Sequence, residues 1–161
     1  MGELRIGVVT SSDSCHRGER EDLSGKAIIE ACAGRGWDVV GYHVCPDEAE
    51  CLTTSIVDLA DVHDADVVLT TGGTGLGPRD VTPEATLAAC PRLVPGIAEA
   101  IRAESLKVTP RAMLSRAVSA QRGKTVVINL PGSVKAVRET LAVVLDQLEH
   151  AAEMAAGCGH D

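Results

Sequence analysis

The sequence predicts a single three-layer α/β domain spanning residues 1–161, with a mostly parallel, Rossmann-like open sheet and helices on both faces. Three observations carry this. Short apolar, β-branched runs alternate with helical stretches in a β–α–β–α–β order, which calls for right-handed crossovers and a parallel sheet. The runs are almost continuously apolar, as strands covered on both faces must be. Hydrophobic residues make up 45% of the chain but aromatics only 1%, with no Phe, so the core must be built from Val, Leu, Ile and Ala.

Taken in order, residues 4–10 (LRIGVVT) read as a buried strand that ends in the polar loop Ser11-Ser12-Asp13. Leu23, Ala27, Ile28 and Ala31 then recur at helical spacing, and Gly34 and Gly36 supply the stop. Residues 37–44 form a second strand. A helix opening at 45–50 (CPDEAE) places Ile56, Leu59 and Ala60 on its inner face, and residues 65–71 (ADVVLTT) form a third strand. After a glycine loop, Thr82-Pro83-Glu84 reads as a helix start in which Thr82 caps and Pro83 takes the first helical position. Pro95 and Gly96 precede a helix through Ile97, Ile101 and Leu106. Residues 125–130 (TVVINL) give another strand, which runs through Pro131-Gly132-Ser133 into one long final helix striped by Val137, Leu141, Val144, Leu145 and Leu148. The loops 11–22, 72–80 and 131–133 thus follow carboxyl ends of strands, and Asp47 follows a fourth. That edge is where open α/β sheets bind ligands.

Composition excludes several classes. A formal net charge of -8 repels a phosphate backbone, and no nucleic-acid module is legible, so no nucleic-acid partner is expected. The apolar runs are too short to span a membrane, so no membrane partner is expected either. The six Cys (15, 32, 45, 51, 90, 158) show no C-x-x-C spacing; no signal peptide is legible, and reduced thiols in the cytoplasm are the expectation. The five His (16, 43, 63, 150, 160) form no pair at helical metal spacing, which gives a histidine metal site little weight.

An acidic protein that handles an anionic ligand must reverse its field locally, through backbone N–H groups, a few Arg or Lys, or a divalent metal. Residues 70–80 (TTGGTGLGPRD) are the stretch best suited to this, with four glycines in six positions leaving the backbone free to aim N–H groups at an anion. Walker A fails, because Gly72 and Gly77 are followed by Pro78 and not Lys. The dinucleotide fingerprint also fails, since Gly73 and Gly75 would need a glycine at 78 and the loop follows the third strand. On this reading Gly73→Ala and Gly75→Ala alike weaken ligand binding more than stability.

Individual residues carry two readings each. Asp80 has no evident capping duty and is a candidate ligand of Mg²⁺ or of a reacting phosphate, against a solvated loop carboxylate. The spacing of Asp47 and Glu50 fits a capping box, so from spacing alone Asp47 is a helix cap. Ser11, Ser12 and Asp13 read locally as a polar turn. Gly132 and Ser133 open a helix, where an anion or a simple Ser cap are equally served.

In these motifs the chain resembles a known family. Residues 70–86 (TTGGTGLGPRDVTPEAT), VTSSDS near the start, CPDE at 45–48, LSR at 114–116 and NLPGS at 129–133 are similar, in the same order, to the MogA/MoaB family of molybdenum-cofactor proteins, whose fold also occurs as the G domain of gephyrin. CinA-type chains carry a different glycine-loop sequence and are longer. The resemblance implies a nucleotidyltransferase that adenylylates molybdopterin with ATP and Mg²⁺ and releases pyrophosphate. It assigns Asp47 and Asp80 as catalytic carboxylates acting through Mg²⁺, which reverses the capping reading of Asp47. Ser11, Ser12 and Asp13, together with Gly72, Gly73, Thr74 and Gly75, become contacts to nucleotide or pterin. So do Ser115, Arg116, Pro131, Gly132 and Ser133, with Ser115 and Arg116 on the pterin side. It further implies a homotrimer or homohexamer and a MoeA-type molybdate-inserting partner. The alternative from another class is a non-catalytic molybdopterin carrier or scaffold of the same fold.

Overall fold

The structure, a computed structural model, describes residues 3–158; the outermost residues of the expected domain, His160 among them, lie outside that range. Six strands form one sheet: β1 (Arg5–Ser11), β2 (Asp38–Cys45), β3 (Val67–Thr71), β4 (Arg92–Leu93), β5 (Ser119–Arg122) and β6 (Thr125–Leu130). Their order is β2-β1-β3-β6-β5-β4. The first four neighbours in that order run parallel, and β5 and β4 complete the edge antiparallel. The expected mostly parallel open sheet is therefore present, and the four strands read from apolar runs are its parallel part.

Alternation along the strands builds two cores. Leu4, Ile6 and Val8, with Val67, Leu69, Val126, Ile128 and Leu130, face helices α2 (Leu23–Gly34), α5 (Pro95–Leu106), α6 (Val134–Val144) and α7 (Leu148–Ala155). Val9, Cys45, Val68 and Val127 face α3 (Ala49–Asp61) and α4 (Thr82–Ala89) on the other side. Successive residues of one strand point to opposite faces, so helices on both faces are required to bury them.

Several details differ from the sequence reading. The buried face of α2 is Ser24, Gly25, Ala27, Ile28 and Cys32, and Leu23, at its first position, is exposed. Leu106 is likewise exposed at the end of α5. The final helix is two, α6 and α7, joined by a 3₁₀ turn at Leu145–Gln147, and the stripe of Val137, Leu141, Val144 and Leu148 stays on the core across it. A one-turn helix α1 (Asp13–His16) follows β1, with Ser12 as its cap.

Candidate functional site

Because β1, β3 and β6 are adjacent and parallel, their carboxyl ends at residues 11, 71 and 130 deliver three loops to one place. Short contacts lock these loops together. Thr71 Oγ1 donates to the Pro131 carbonyl at 2.6 Å and the Gly72 N–H to the Leu130 carbonyl at 3.3 Å. Ser24, from α2, donates to the Gly132 carbonyl at 2.7 Å.

The glycine loop needs glycine for two distinct reasons. Gly72 and Gly73 have φ of 89° and 71°, a region that side chains disfavour. A Cβ on Gly72 would also stand 2.4 Å from the Ser11 carbonyl, and one on Gly73 2.3 Å from Thr82 Oγ1. Thr82 does not cap α4, whose cap position is Val81 without a side-chain bond; its hydroxyl donates instead to the Gly72 carbonyl at 2.8 Å, and its N–H to Gly73 at 3.1 Å. The threonine read as a cap is a strut under the loop. Among the described residues no acceptor meets the N–H groups of Gly73, Thr74 and Gly75, so the loop presents donors to its surroundings.

Arg116 braces the same loop from outside. Its Nε donates to the Gly75 carbonyl at 2.7 Å, one terminal nitrogen to the Asp80 carbonyl at 2.6 Å, and the other to Glu84. The guanidinium beside it holds the Glu84 carboxyl below its usual range. Ser115, next to it, lines a cavity and accepts the Ala117 N–H at 3.3 Å.

Asp47 is not a helix cap. The cap position of α3 is Glu48, without a side-chain bond, and the Asp47 carboxylate turns to the end of β1, where Ser11 Oγ donates to Oδ1 at 2.5 Å and the Asp13 N–H to Oδ2 at 3.2 Å. Asp13 returns the contact, accepting the Asp47 N–H at 2.9 Å. Arg79, from the glycine loop, closes on Asp13 with two bonds of 2.6 and 2.9 Å. The Arg79 guanidinium first, and the Asp47 N–H second, hold the Asp13 carboxyl well below the usual carboxylate range. Asp80 turns inward on its own loop, Oδ2 accepting the Gly77 N–H at 2.9 Å. Ser133 does cap α6, accepting the Ala136 N–H at 3.2 Å.

Two cavities open on these loops. One, of about 280 Å³, is lined by Ser11, Ser12, Gly72, Gly132 and Ser133 and is rich in hydroxyls. The other, of about 290 Å³ and mainly apolar, is lined by Thr74, Gly75, Ser115 and Pro131, with Arg102 and Arg111 at its wall. Thr71 and Gly72 thus serve one cavity, and Thr74 and Gly75 the other. Near the first, Asp22 is almost fully buried and accepts from Thr10 Oγ1 at 2.6 Å, from Gly25 N–H at 3.0 Å and from the Tyr42 hydroxyl.

Sequence reasoning passed over Arg79, Arg102 and Asp22. The first had a signal, being the one cation inside the loop motif; the other two lie in ordinary helical or loop text and meet the site only through the fold. It also separated His43 from His63, which the fold brings together around Asp58.

Comparison with known proteins identifies the family and the fold. A family described as "Probable molybdopterin binding domain" matches residues 7–150. The molybdopterin adenylyltransferase of Helicobacter pylori strain J99 is 39% identical over 159 residues, covering 98% of this chain and 90% of that protein. That of Escherichia coli K12 is 40% identical over 148 residues, covering 91% and 76%. The crystal structure of the molybdopterin biosynthesis enzyme MoaB from Thermus thermophilus superposes with a TM-score of 0.89 at 46% identity, covering 96% of this chain and 97% of that one. With the family matched over residues 7–150, which include the glycine loop, most of β1 and the strands β3 and β6 that carry the site, the chain belongs to the molybdopterin-binding domain family.

Proposed function

We propose that this chain is a molybdopterin adenylyltransferase, which joins the terminal phosphate of molybdopterin to the adenylyl group of ATP and releases pyrophosphate. The observation that carries the reading is the pair of cavities that share one glycine loop, with a carboxylate network at its tip. A transfer between two bound molecules needs two sites meeting at one wall. Relatives with 39% and 40% identity bear that name.

In the reaction an oxygen of the molybdopterin phosphate attacks the α-phosphorus of ATP, a phosphoanhydride forms, and the bond to the β-phosphate breaks with its electrons leaving on pyrophosphate. Both partners are anionic, so the protein must orient them and offset their repulsion. The unengaged N–H groups of the glycine loop do so without reorganising, since Arg116 and Thr82 already hold that backbone. Ser11 and the Asp13 N–H orient the Asp47 carboxylate, and Arg79 holds the Asp13 carboxylate in place with two hydrogen bonds.

The donor set suits Mg²⁺. Asp47 and Asp80 are hard oxygen ligands on partly exposed loops, and Asp80 Oδ1 accepts no hydrogen bond among the described residues. Mg²⁺ would take its remaining ligands from phosphates and water. Asp47 and Asp80 would hold it, and its charge would neutralise the triphosphate.

The deciding assay is pyrophosphate release from ATP by the purified chain. Release that needs molybdopterin and stops with EDTA supports the enzyme; molybdopterin binding without release makes it a carrier. Assembly into a trimer or dimer of trimers, a cytoplasmic setting and delivery to a MoeA-type molybdate-inserting protein belong to the same reading, and light scattering on the eluting protein measures the first. No described helix is long and apolar enough to cross a membrane.

A further inference from the structure

On the outer side of the edge strand β2, the residues that alternate toward α3 are Gly41, His43 and Cys45. They meet α3 in order along its last turns. Cys45 Sγ lies 3.1 Å from Ser55 Oγ, the His43 ring lies against Asp58, and Gly41 faces Leu59. The missing side chain at 41 matters, because a Cβ there would stand 2.4 Å from Leu59 Cδ2. Glycine lets the end of α3 settle onto the strand and carries His63 over His43.

His63 is then fixed through its backbone. Its N–H donates to the Asp58 carbonyl at 3.1 Å, and its own carbonyl accepts from the Arg5 guanidinium at 2.8 Å. Asp64 follows at φ 54°, the one non-glycine residue with positive φ among those described, and Arg5 Nε donates to its carbonyl at 3.2 Å. The turn is pinned from both sides.

The result is two imidazoles around one carboxylate oxygen. His43 Nε2 is 3.6 Å and His63 Nε2 3.2 Å from Asp58 Oδ2, and all three atoms lie within 4.8 Å of one another. We propose that His43, Asp58 and His63 form a binding site for a divalent transition-metal ion of the Zn²⁺ type, which clips the edge strand β2 to α3. An ion with bonds of about 2.0–2.2 Å in tetrahedral geometry holds its ligands about 3.3–3.6 Å apart, so both histidine–carboxylate pairs already lie near that spacing. Two borderline nitrogen donors with one carboxylate select Zn²⁺, Ni²⁺ or Cu²⁺ over Mg²⁺ and Ca²⁺, which want oxygen. The three side chains are 31%, 35% and 41% exposed, which leaves a route in and room for water as the fourth ligand. Among the described residues no other group of three such side chains comes together.

Because β2 and α3 flank Asp47, an ion here ties together both elements that carry it. The site stands apart from the transfer reaction, and its test needs no substrate. The full chain, stripped with EDTA, is titrated with Zn²⁺ at neutral pH against a chromophoric chelator. One ion per chain is expected, with a dissociation constant in the micromolar range or tighter, and a rise in melting temperature with Zn²⁺ but not Mg²⁺, since binding to the folded state alone stabilises it. His43→Ala and His63→Gln should each weaken binding at least about tenfold and remove the thermal shift, while their circular dichroism stays that of the parent. Co²⁺ in place of Zn²⁺ should give a visible d–d spectrum without a thiolate charge-transfer band. A thiolate band, unchanged affinity in both histidine variants, or no ion bound by the folded chain would each overturn the proposal.

Discussion

Ser11 Oγ donates to Asp47 Oδ1 at 2.5 Å, joining the end of β1 to the residue that leads from β2 into α3. The aspartate is thereby committed to the sheet edge and is not available to the helix. Asp47→Asn keeps the oxygen that Ser11 bonds and removes the charge. The variant should melt within a few degrees of the parent, while pyrophosphate release falls at least about a hundredfold, the usual scale for losing one electrostatic group of a transfer site. Equal losses of stability and turnover would make Asp47 a structural residue.

Arg79 lowers the pH at which Asp13 takes up a proton. With its carboxyl lowered from the ordinary 3.8, a folded-state value below the unfolded one stabilises the protein above the unfolded value and loses that contribution as pH falls toward the folded one. The carbon-13 signal of the Asp13 carboxyl should therefore stay flat as pH falls from 7 to about 3. In Arg79→Ala it should titrate at higher pH, because the largest cause has gone and only the Asp47 N–H and the charge of Arg17 remain to lower it. An identical titration in both proteins would show that Arg79 does not hold Asp13 in solution.

The glycines of the loop are not equivalent, contrary to what their clustering suggests. Gly73→Ala puts a side chain at positive φ and against Thr82, and should cost about 1–3 kcal/mol of stability. Gly75 is not among the glycines with positive φ, and its Cβ would meet only the Asp80 carboxylate, at 2.9 Å. Gly75→Ala should keep nearly full stability and lose activity as Asp80 is displaced. Denaturant titrations beside turnover separate the two.

The thiols divide by burial. Desolvation pushes Cys32 and Cys90 up to about 11 and raises Cys45 as well, whereas Cys158 is exposed. In the folded protein a thiol reagent at mildly alkaline pH should modify Cys158 before Cys32, Cys45 and Cys90, which should react only on unfolding. Rapid modification of Cys32 would mean that α2 opens from the sheet.

What the sequence disclosed follows from which contacts are local. The parallel strands were legible because residues buried on two faces must be mostly apolar, as in Val67–Thr71 and Thr125–Leu130. β5 is Ser-Ala-Gln-Arg and β4 only two residues, so neither leaves an apolar trace; the hairpin to β6 makes them strands. The helix starts were located, but their chemistry was not. Thr82 and Asp47 each lie one residue from the cap position, and their side chains are taken by Gly72 and Ser11. Likewise, 20 residues separate His43 from His63, and only the β2–α3 crossover aligns them.

Arg116 tests the bracing of the loop most directly. The family resemblance assigns it to the pterin side; in this structure its three side-chain nitrogens are directed at the Gly75 and Asp80 carbonyls and at Glu84, and its backbone N–H donates to the Thr74 carbonyl at 2.8 Å. A residue that only attracts an anion can be replaced by lysine with partial function, because the charge persists. A brace cannot: an ammonium is a point donor, without the planar fork that spans three acceptors. Arg116→Lys should therefore resemble Arg116→Ala, with amide exchange across residues 73–80 accelerated and kcat/KM lowered about tenfold or more, by a loop that must be ordered anew for each transfer. Both readouts are needed. If the lysine variant keeps the slow exchange of the parent and loses only substrate affinity, Arg116 is an anion contact and the loop is held by Thr82 alone.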